Sequence, residues 1–200
     1  MNENNHIESL INQLNDPNLE RAHMAQQELE SMGDAAVDAL AHAMHHAQGR
    51  RSWLAVCALS SIDSERTIEP LIEGLLDSEV VDSIRQVIAQ ALGKRHDPRI
   101  VEPLIRALGD SSYLVQISAI DALGNLGDKR AVESIVAVLT QTTSPTVRYT
   151  AIRSLAKLGD SRVVPVILRY QDDEDDHVRS HVERALRKFA EQMPSLDDQS

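Results

Sequence analysis

Three histidines are spaced to share one face of a helix, where two of them can ligate a metal ion. His42, His45 and His46 lie three and four residues apart, and His177 and His181 form a second pair four residues apart. Side chains at this spacing project together, but a metal site needs a further ligand from elsewhere in the fold. The His-Glu-x-x-His motif of zinc enzymes is absent. We therefore interpret both groups as polar helix faces.

Carboxylate and thiol groups offer two further places for chemistry. The run Asp-Asp-Glu-Asp-Asp at residues 172–176 contains ligands that suit Ca²⁺, but it lacks the glycine and the ligand spacing of an EF-hand loop. Its last acids instead favour the start of the following helix. Cys57 is the single cysteine, and no motif supplies the base and orienting group that a nucleophile needs. The sequence therefore predicts no catalytic residue, no metal site and no cofactor.

These residues lie in an internal repeat whose clearest copy spans residues 97–128. Apolar residues recur at i, i+3 and i+4 along residues 100–108 and again along residues 115–126, which is the pattern of two amphipathic helices. Gly-Asp-Ser-Ser separates the two helices, and Gly127 is placed to end the second one. Since one such hairpin cannot bury both apolar faces, it must stack on copies of itself.

Copies of this hairpin recur in register along the chain. The main apolar position of the first helix is occupied by Leu10, Leu40, Leu71, Leu104, Ile135 and Ile167. The matching position of the second helix is occupied by Leu29, Leu59, Leu92, Leu123, Leu155 and Leu186. Four residues earlier, a small or β-branched residue permits close helix approach: Ala25, Ala55, Ile88, Ala119, Ala151 and Val182. We predict one domain over residues 5–190, with units at 5–33, 34–63, 64–96, 97–127, 128–159 and 160–190 and flexible ends at 1–4 and 191–200.

Turn residues separate the units. In the Leu-Gly-Asp sequences that end at Asp128 and Asp160, the glycine can adopt a positive φ and the aspartate can cap the next helix. Pro70 and Pro103 stand slightly deeper than the first helical position, where a missing N–H costs least. We therefore predict a short opening turn or a kink at these two helices.

The pattern Val-Arg-x-x-Ala-x-x-x-Leu-x-x-Leu-Gly-Asp at residues 147–160 resembles the HEAT repeat, and most closely the short HEAT-like subtype of the phycobilisome (bilin) lyases. The resemblance covers residues 5–190 and implies an all-α fold, a right-handed α-solenoid (superhelix) of about six two-helix HEAT-like repeats. It places the first helix of each repeat outside and the second helices along a concave groove. The paired His-Glu motifs of the HEAT-type deoxyhypusine hydroxylases are absent.

The same resemblance implies a structural ladder, in which an arginine at the start of each second helix pairs with aspartates of the turns. The residues that match this pattern are Asp77, Arg85, Asp110, Arg148 and Arg179. Gln116 replaces the arginine of the fourth unit, and Thr142-Thr143 replaces the acidic turn of the fifth. We therefore expect the ladder to be interrupted at these units.

The second helices also carry columns of residues that face away from the apolar stripes. One column contains aromatic and aliphatic residues, which on a polar face are typical of an interface core: His23, Trp53, Gln86, Ile117, Tyr149 and Ser180. If the helix phase is shifted by one position, these residues instead pack between helices. Two neighbouring columns end in cations, so the C-terminal half of the groove is predicted to be basic. The predicted partner-binding residues are Trp53, Gln86, Lys94, Ile117, Tyr149, Arg153, Lys157, Arg184 and Lys188.

The overall charge limits the classes of partner. Lys and Arg total 20 and Asp and Glu total 31, for a net charge of −11, which disfavours nucleic acid. This charge and the single tryptophan also weigh against a DNA glycosylase of the HEAT-like kind. One cysteine suits a reducing compartment, and the start MNENNHIESL lacks the features of a signal peptide. No apolar run approaches the roughly 20 residues of a membrane span. We therefore expect a cytoplasmic protein that binds no membrane.

Two functions fit these observations. The first is a non-enzymatic protein–protein interaction module, a scaffold or adaptor that binds a partner with an acidic surface in the groove. The alternative is a bilin lyase-like subunit or chaperone that holds a tetrapyrrole chromophore for a phycobiliprotein, with the groove cations bound to its propionates. The sequence leaves the oligomeric state open.

Overall fold

The computed structural model describes residues 2–47 and 49–192 of the chain. These residues form α-helices that are joined by turns and short 3₁₀ segments, and no strand occurs among them. The chain divides into two compact units, Met1–Leu92 and Gly93–Ser200. Within the described ranges, no helix has both the length and the apolar character that crossing a membrane requires.

The first unit consists of helical hairpins in sequence order. Its helices are α1 (Glu3–Gln13), α2 (Leu19–Met32), α3 (Val37–His46), α4 (Arg50–Ser61), α5 (Ile68–Leu76) and α6 (Asp82–Leu92). Each odd-numbered helix packs against the even-numbered helix that follows it. The second helices of the hairpins also pack side by side, with α2 against α4 and α4 against α6.

The second unit repeats this arrangement. Its helices are α7 (Val101–Ala107), α8 (Tyr113–Leu126), α9 (Val132–Gln141), α10 (Pro145–Leu158), α11 (Val164–Ile167) and α12 (Asp176–Gln192). The second helices form a continuous layer in which α10 contacts both α8 and α12. This layer positions most of the residues that the sequence predicts for partner binding.

Burial follows the predicted repeat register. The recurring apolar position of the first helix is at most 2% exposed in every hairpin, from Leu10 to Ile167. The leucine of the second helix is fully buried from Leu29 to Leu155, whereas Leu186 in α12 is half-buried. The prediction of an all-α fold made of two-helix repeats is therefore confirmed within each unit. A single array over residues 5–190 stays a prediction.

The ends of the helical region differ from the predicted boundaries. Helix α1 begins at Glu3, although residues 1–4 were expected to be flexible. Helix α12 extends to Gln192, two residues into the segment that the sequence assigns to a flexible tail. Met1 and residues 193–200 lie outside the described residues. The amphipathic pattern marks where apolar contacts stop, and a helix can continue past that point in water.

The predicted caps and opening turns are confirmed. Gly127 and Gly159 end α8 and α10 with φ values of 72° and 66°, in the left-handed region. A 3₁₀ turn opens both helices with a deep proline, at Glu65–Thr67 before α5 and at Pro98–Ile100 before α7. These turns make Pro70 and Pro103 the third residues of their α-helices, where no helical hydrogen bond needs their N–H.

Three turns of the second unit share an Asp-x-Arg clamp. In each turn the aspartate accepts a hydrogen bond from the backbone N–H of an arginine two residues later, and it also pairs with the guanidinium of that arginine. The three pairs are Asp97–Arg99, Asp128–Arg130 and Asp160–Arg162. Hydrogen bonds from the side chain and then the backbone of Arg162 lower the pKa of Asp160 to about 2. The sequence predicted the caps Asp128 and Asp160, but neither Asp97 nor the arginine partners.

Helices α8 and α10 approach most closely at a glycine. A Cβ atom on Gly124 would lie 2.7 Å from the Cβ and 2.9 Å from the Cα of Ser154, which is too close for any side chain. Ser154 is fully buried at this contact. The close approach brings the neighbouring α8 residues Asp121 and Asn125 within hydrogen-bonding distance of α10 side chains.

We expect Gly124→Ala to destabilise the protein. The added methyl group overlaps Ser154, and overpacking of this kind costs about 1–3 kcal/mol, although alanine is the better helix former by about 1 kcal/mol. Urea unfolding followed by circular dichroism measures the change. The double variant Gly124→Ala with Ser154→Gly should recover part of the loss, because the serine Cβ is gone. A Gly124→Ala variant as stable as the wild type would contradict this close contact.

We expect the contribution of Asp160 to stability to depend on pH. Its folded-state pKa lies below the roughly 3.9 of an unfolded aspartate, so the charged group stabilises the fold above about pH 4 and this contribution is lost as the pH falls towards about 2. Asp160→Asn keeps a capping side chain but removes the charge. The wild type should therefore melt at a higher temperature than Asp160→Asn at pH 6, and most of the difference should be lost as the pH falls to about 2.

Thermal unfolding at a series of pH values tests this dependence. Asp34→Asn serves as the control, because the carboxylate of Asp34 makes no ion pair among the described residues. Its effect on the melting temperature should change little over the same pH range. An Asp160→Asn difference that stays constant from pH 6 to pH 2 would argue against the clamp as the source of stability.

Candidate functional site

Four of the predicted cations surround one pocket in the second unit. The pocket has a volume of about 200 Å³ and opens between α10 and α12. Its lining residues are Arg153, Ala156, Lys157, His181, Arg184, Ala185 and Lys188. The two alanines are buried and supply the apolar part of the lining. The pocket, which we call the basic pocket, therefore combines an apolar base with a rim of positive charge.

A single carboxylate from α8 balances part of this charge. Asp121 Oδ1 lies 3.1 Å from Arg153 Nη2 and 3.0 Å from Lys157 Nζ. Lys157 Nζ also donates to Asn125 Oδ1 over 2.7 Å. Arg184 and Lys188 form no ion pair among the described residues. Two of the four cations share one carboxylate and the other two pair with no described carboxylate, so the pocket keeps an excess of positive charge that suits an anionic group.

A pair of stacked rings borders the basic pocket. The ring centroids of Tyr149 and His181 are 5.1 Å apart with an interplanar angle of 24°, and the ring of His177 lies 6.3 Å from Tyr149. The sequence singled out Tyr149 as a contact residue and the two histidines as a polar face, without connecting them. Tyr149 and His181 are 32 residues apart, one more than the 31 residues between equivalent positions of these two helices, such as Arg153 and Arg184. The signal that could have placed them side by side is therefore a neighbouring position, and not an equivalent position, in the next repeat.

The other predicted groove residues lie at different places in the two units. In the first unit, Trp53 on α4 is 45% exposed and Gln86 on α6 is half-buried. In the second unit, Ile117 on α8 is half-buried. The expected helical position of Lys94 is wrong: α6 ends at Leu92, and Lys94 lies exposed in the following turn. Whether these residues bind a partner stays a prediction.

The predicted ladder has one clear step in the second unit. Arg148 Nε lies 3.0 Å from Asp173 Oδ2, and both side chains are largely buried. Arg148 also donates to the carbonyl of Thr143 over 3.3 Å. In the fourth repeat Gln116 donates to the carbonyl of Asp110 over 2.7 Å, so glutamine keeps the turn contact of the arginine that it replaces. Arg85 and Arg179 make the same type of contact, to the carbonyls of Val80 and Asp173.

His45 has a structural partner that the sequence did not predict. Its Nδ1 lies 3.1 Å from Asp77 Oδ2, and its side chain is only 20% exposed. The backbone N–H of Glu79 also donates to Asp77, over 2.9 Å. These two hydrogen bonds, that of Glu79 first, lower the pKa of Asp77. The interpretation of His45 as part of a polar outer face is therefore wrong, because it packs against the turn of the next hairpin.

The remaining candidates for chemistry have structural contacts. Asp175 accepts hydrogen bonds from the N–H groups of His177 and Val178 and so caps α12, as the sequence predicted for this run of acids. Burial, and secondarily Glu30, raises the pKa of the half-buried thiol of Cys57, which reduces its reactivity. Among the residues that the structure describes, no three His, Cys, Asp or Glu side chains gather as a metal site.

A second pocket of the same unit contains acidic residues. It has a volume of about 210 Å³ and is lined by His96, Asp97, Pro98, Val101, Leu126 and Asp128. Both aspartates already bind the arginines of their clamps. This pocket therefore follows from the turn structure, and the basic pocket remains the stronger candidate for a binding site.

The chain is similar to proteins of a known repeat family. The family described as HEAT repeats matches residues 7–93, 82–148 and 132–197. A phycocyanobilin lyase subunit alpha from Picosynechococcus sp. is 30% identical over 92 residues, which are 44% of this chain and 34% of that protein. The match thus spans about a third of that relative.

Solved structures show the same fold at low sequence identity. The complex of CpcE and CpcF of phycocyanin lyase from Nostoc sp. PCC7120 aligns with a TM-score of 0.53 and 21% identity, over 93% of this chain and 65% of that one. A designed armadillo repeat protein in complex with the peptide (KR)4 aligns with a TM-score of 0.55 and 19% identity, over 92% and 99% of the two chains. An engineered protein aligns with a TM-score of 0.57 and 20% identity, over 92% and 96%.

Proposed function

The chain belongs to the HEAT-repeat family, and from this premise we propose that it is a non-enzymatic protein-interaction module, a scaffold or adaptor that binds a protein with an acidic surface. Stacked helical hairpins leave one face of their helices free for docking. The observation that carries this proposal is the convergence of Arg153, Lys157, Arg184 and Lys188 on one pocket. Positive charge so concentrated on a chain with a net charge of −11 favours an acidic partner.

Electrostatic attraction would orient the partner so that its acidic surface faces the basic pocket. Most of the surface of so acidic a chain repels an acidic protein, so association is favoured only where the basic pocket faces the partner. Arg184 and Lys188 offer charges that no described residue pairs. Arg153 and Lys157 can exchange their shared contact with Asp121 for a carboxylate of the partner. Ala156 and Ala185 leave room for an acidic side chain to enter between the helices.

Charge reversal in the basic pocket should abolish partner capture. In Arg153→Glu/Arg184→Glu/Lys188→Glu the pocket repels the acidic surface that it attracts in the wild type, and we expect affinity to fall about tenfold or more. A stoichiometric partner isolated from the native extract is purified for this test. Its affinity for both proteins is measured by biolayer interferometry at 50 and 300 mM NaCl.

Two matched controls separate the pocket from overall charge. Lys129→Glu/Arg169→Glu/Arg187→Glu changes the net charge by the same amount at positions outside the pocket lining and should retain binding. Asp121→Asn frees Arg153 and Lys157 and should strengthen binding at low salt. Unchanged affinity in the pocket variant, or an equal loss in both triple variants, would overturn the docking site.

The similarity to the phycocyanobilin lyase subunit supports a second function. In this alternative the chain is a bilin lyase-like subunit or a chaperone that holds a tetrapyrrole chromophore for a phycobiliprotein. The cations of the basic pocket would bind the propionates, and the ring of Tyr149 at its border would stack on the pigment. The same residues therefore serve either function, with a different occupant.

Addition of phycocyanobilin distinguishes the two functions. If the chain holds the pigment, its visible absorption band should shift or sharpen on mixing, since binding restricts the conformation of a flexible chromophore. The shift should be lost in Arg153→Glu/Arg184→Glu/Lys188→Glu and kept in the matched control triple variant. An unchanged absorption spectrum with the wild-type protein removes this alternative and leaves the protein-interaction module.

A further inference from the structure

The position of one ring nitrogen of His181 is determined by a backbone contact. Its Nδ1 lies 2.8 Å from the carbonyl oxygen of His177, one helical turn earlier. A carbonyl oxygen can only accept a hydrogen bond, so Nδ1 carries the hydrogen. In the neutral ring, Nε2 is then the unprotonated nitrogen, and it is the atom that takes up a proton on acidification.

The ring of His181 is held at the basic pocket. It contributes to the lining together with Arg153, Lys157, Arg184 and Lys188. Stacking on Tyr149, with ring centroids 5.1 Å apart and an angle of 24°, restricts its orientation. No other described residue has a hydrogen bond or ion pair to Nε2. The ring therefore has a fixed orientation, and its Nε2 atom has no partner among the described residues.

We propose that His181 is a fifth, proton-dependent cation of the basic pocket, so that capture of a carboxylate-bearing segment strengthens as the pH falls from 8 to 6. This inference rests on the proposed function, because it concerns the same pocket and the same acidic partner. It adds His181 to the four permanent cations as a residue that determines specificity. It also makes partner capture depend on proton uptake at a stated atom, Nε2 of His181.

Most of the charged groups around His181 are cations. The ring stacks on Tyr149 of α10 and bonds to the carbonyl of His177 on its own helix, and it lines the pocket together with Arg153, Lys157, Arg184 and Lys188. Four of the five acids at residues 172–176 have other contacts: Asp173 and Glu174 pair with Arg148, Asp175 caps the helix and Asp176 pairs with Arg179. Asp121 is the one carboxylate near the pocket cations on α8.

Anion binding and proton uptake are therefore coupled. An anion that enters the pocket attracts a positive charge on the neighbouring ring of His181. A proton on Nε2 then adds both a charge and a hydrogen-bond donor for the carboxylate, and an imidazolium on the face of Tyr149 gains cation–π attraction. By thermodynamic reciprocity, a ligand that favours the protonated ring is bound more tightly when that ring is protonated.

The peptide (Asp-Gly)4 is a suitable probe for this coupling. The peptide is acetylated at its N-terminus to remove the amino group that would titrate in this range, and its aspartates stay ionised between pH 6 and 8, so any change in affinity arises from the protein. We expect isothermal titration calorimetry to show binding about two- to fivefold tighter at pH 6.0 than at pH 8.0, the range for one additional exposed charge pair. Titration in two buffers of different ionisation enthalpy should also show net proton uptake on binding near pH 6.5.

Matched histidine variants assign the effect to one ring. His181→Gln should lose the pH dependence of peptide binding. His177→Gln should keep the pH dependence, because His181 bonds to the backbone carbonyl of residue 177 and not to its ring. Thermal unfolding of both variants at the two pH values verifies that they are folded.

The possible outcomes separate this inference from the proposed function. Equal affinity of the wild type at pH 6.0 and 8.0, or the same pH dependence in His181→Gln, overturns the role of His181 and leaves the basic pocket as the docking site. Absence of peptide binding at both pH values overturns the pocket itself. Loss of pH dependence in His181→Gln alone establishes the proposal.

Discussion

The close packing of neighbouring second helices is the constraint on which the rest of the second unit depends. Helix α10 lies between α8 and α12, and small residues occupy the contacts, as at Gly124 against Ser154. Helices that approach this closely hold the exposed positions of adjacent repeats side by side. The basic pocket exists because Ala156 and Ala185 leave space between α10 and α12. Larger residues at these positions would fill it.

Charge pairing decides which cations remain free for a ligand. Arginines of the Asp-x-Arg clamps are bound within their own turns, and Arg148 is buried against Asp173. These arginines stabilise the turns and the contacts between repeats. Arg184 and Lys188, in contrast, have no ion-pair partner among the described residues and line the pocket. The structural arginines thus have a carboxylate of the fold beside them, whereas Arg184 and Lys188 keep their charge available for the partner that we propose.

The candidate site was predictable in part. Repeat periodicity predicts Arg153, Lys157, Arg184 and Lys188 on one face of two helices, and the structure brings them around one pocket. Lys94 was expected on a helix by the same periodicity, although Gly93 follows the end of α6 at Leu92. The stack of Tyr149 on His181 was not predicted. These two rings do not occupy equivalent positions of their repeats, because a long side chain reaches the adjacent position of the next helix.

The sequence by itself determined the helical repeat, its register and the residues at which its helices begin and end. These features are local, because they depend on residues only a few positions apart. Examples are the apolar spacing, the capping Gly127 and Pro103 in the first turn of α7. The fold of each unit was predictable for that reason. The predicted helix face contained all the pocket cations, but periodicity does not distinguish a paired cation from a free one.

Only the tertiary structure decided which polar groups meet. Asp121 binds two cations of the next repeat, His45 packs on Asp77, and His181 donates to a carbonyl while its ring rests on Tyr149. Each of these contacts depends on distances between helices that are set to within about an ångström by side-chain packing. Helical periodicity specifies the direction in which a side chain points, and packing specifies what it reaches.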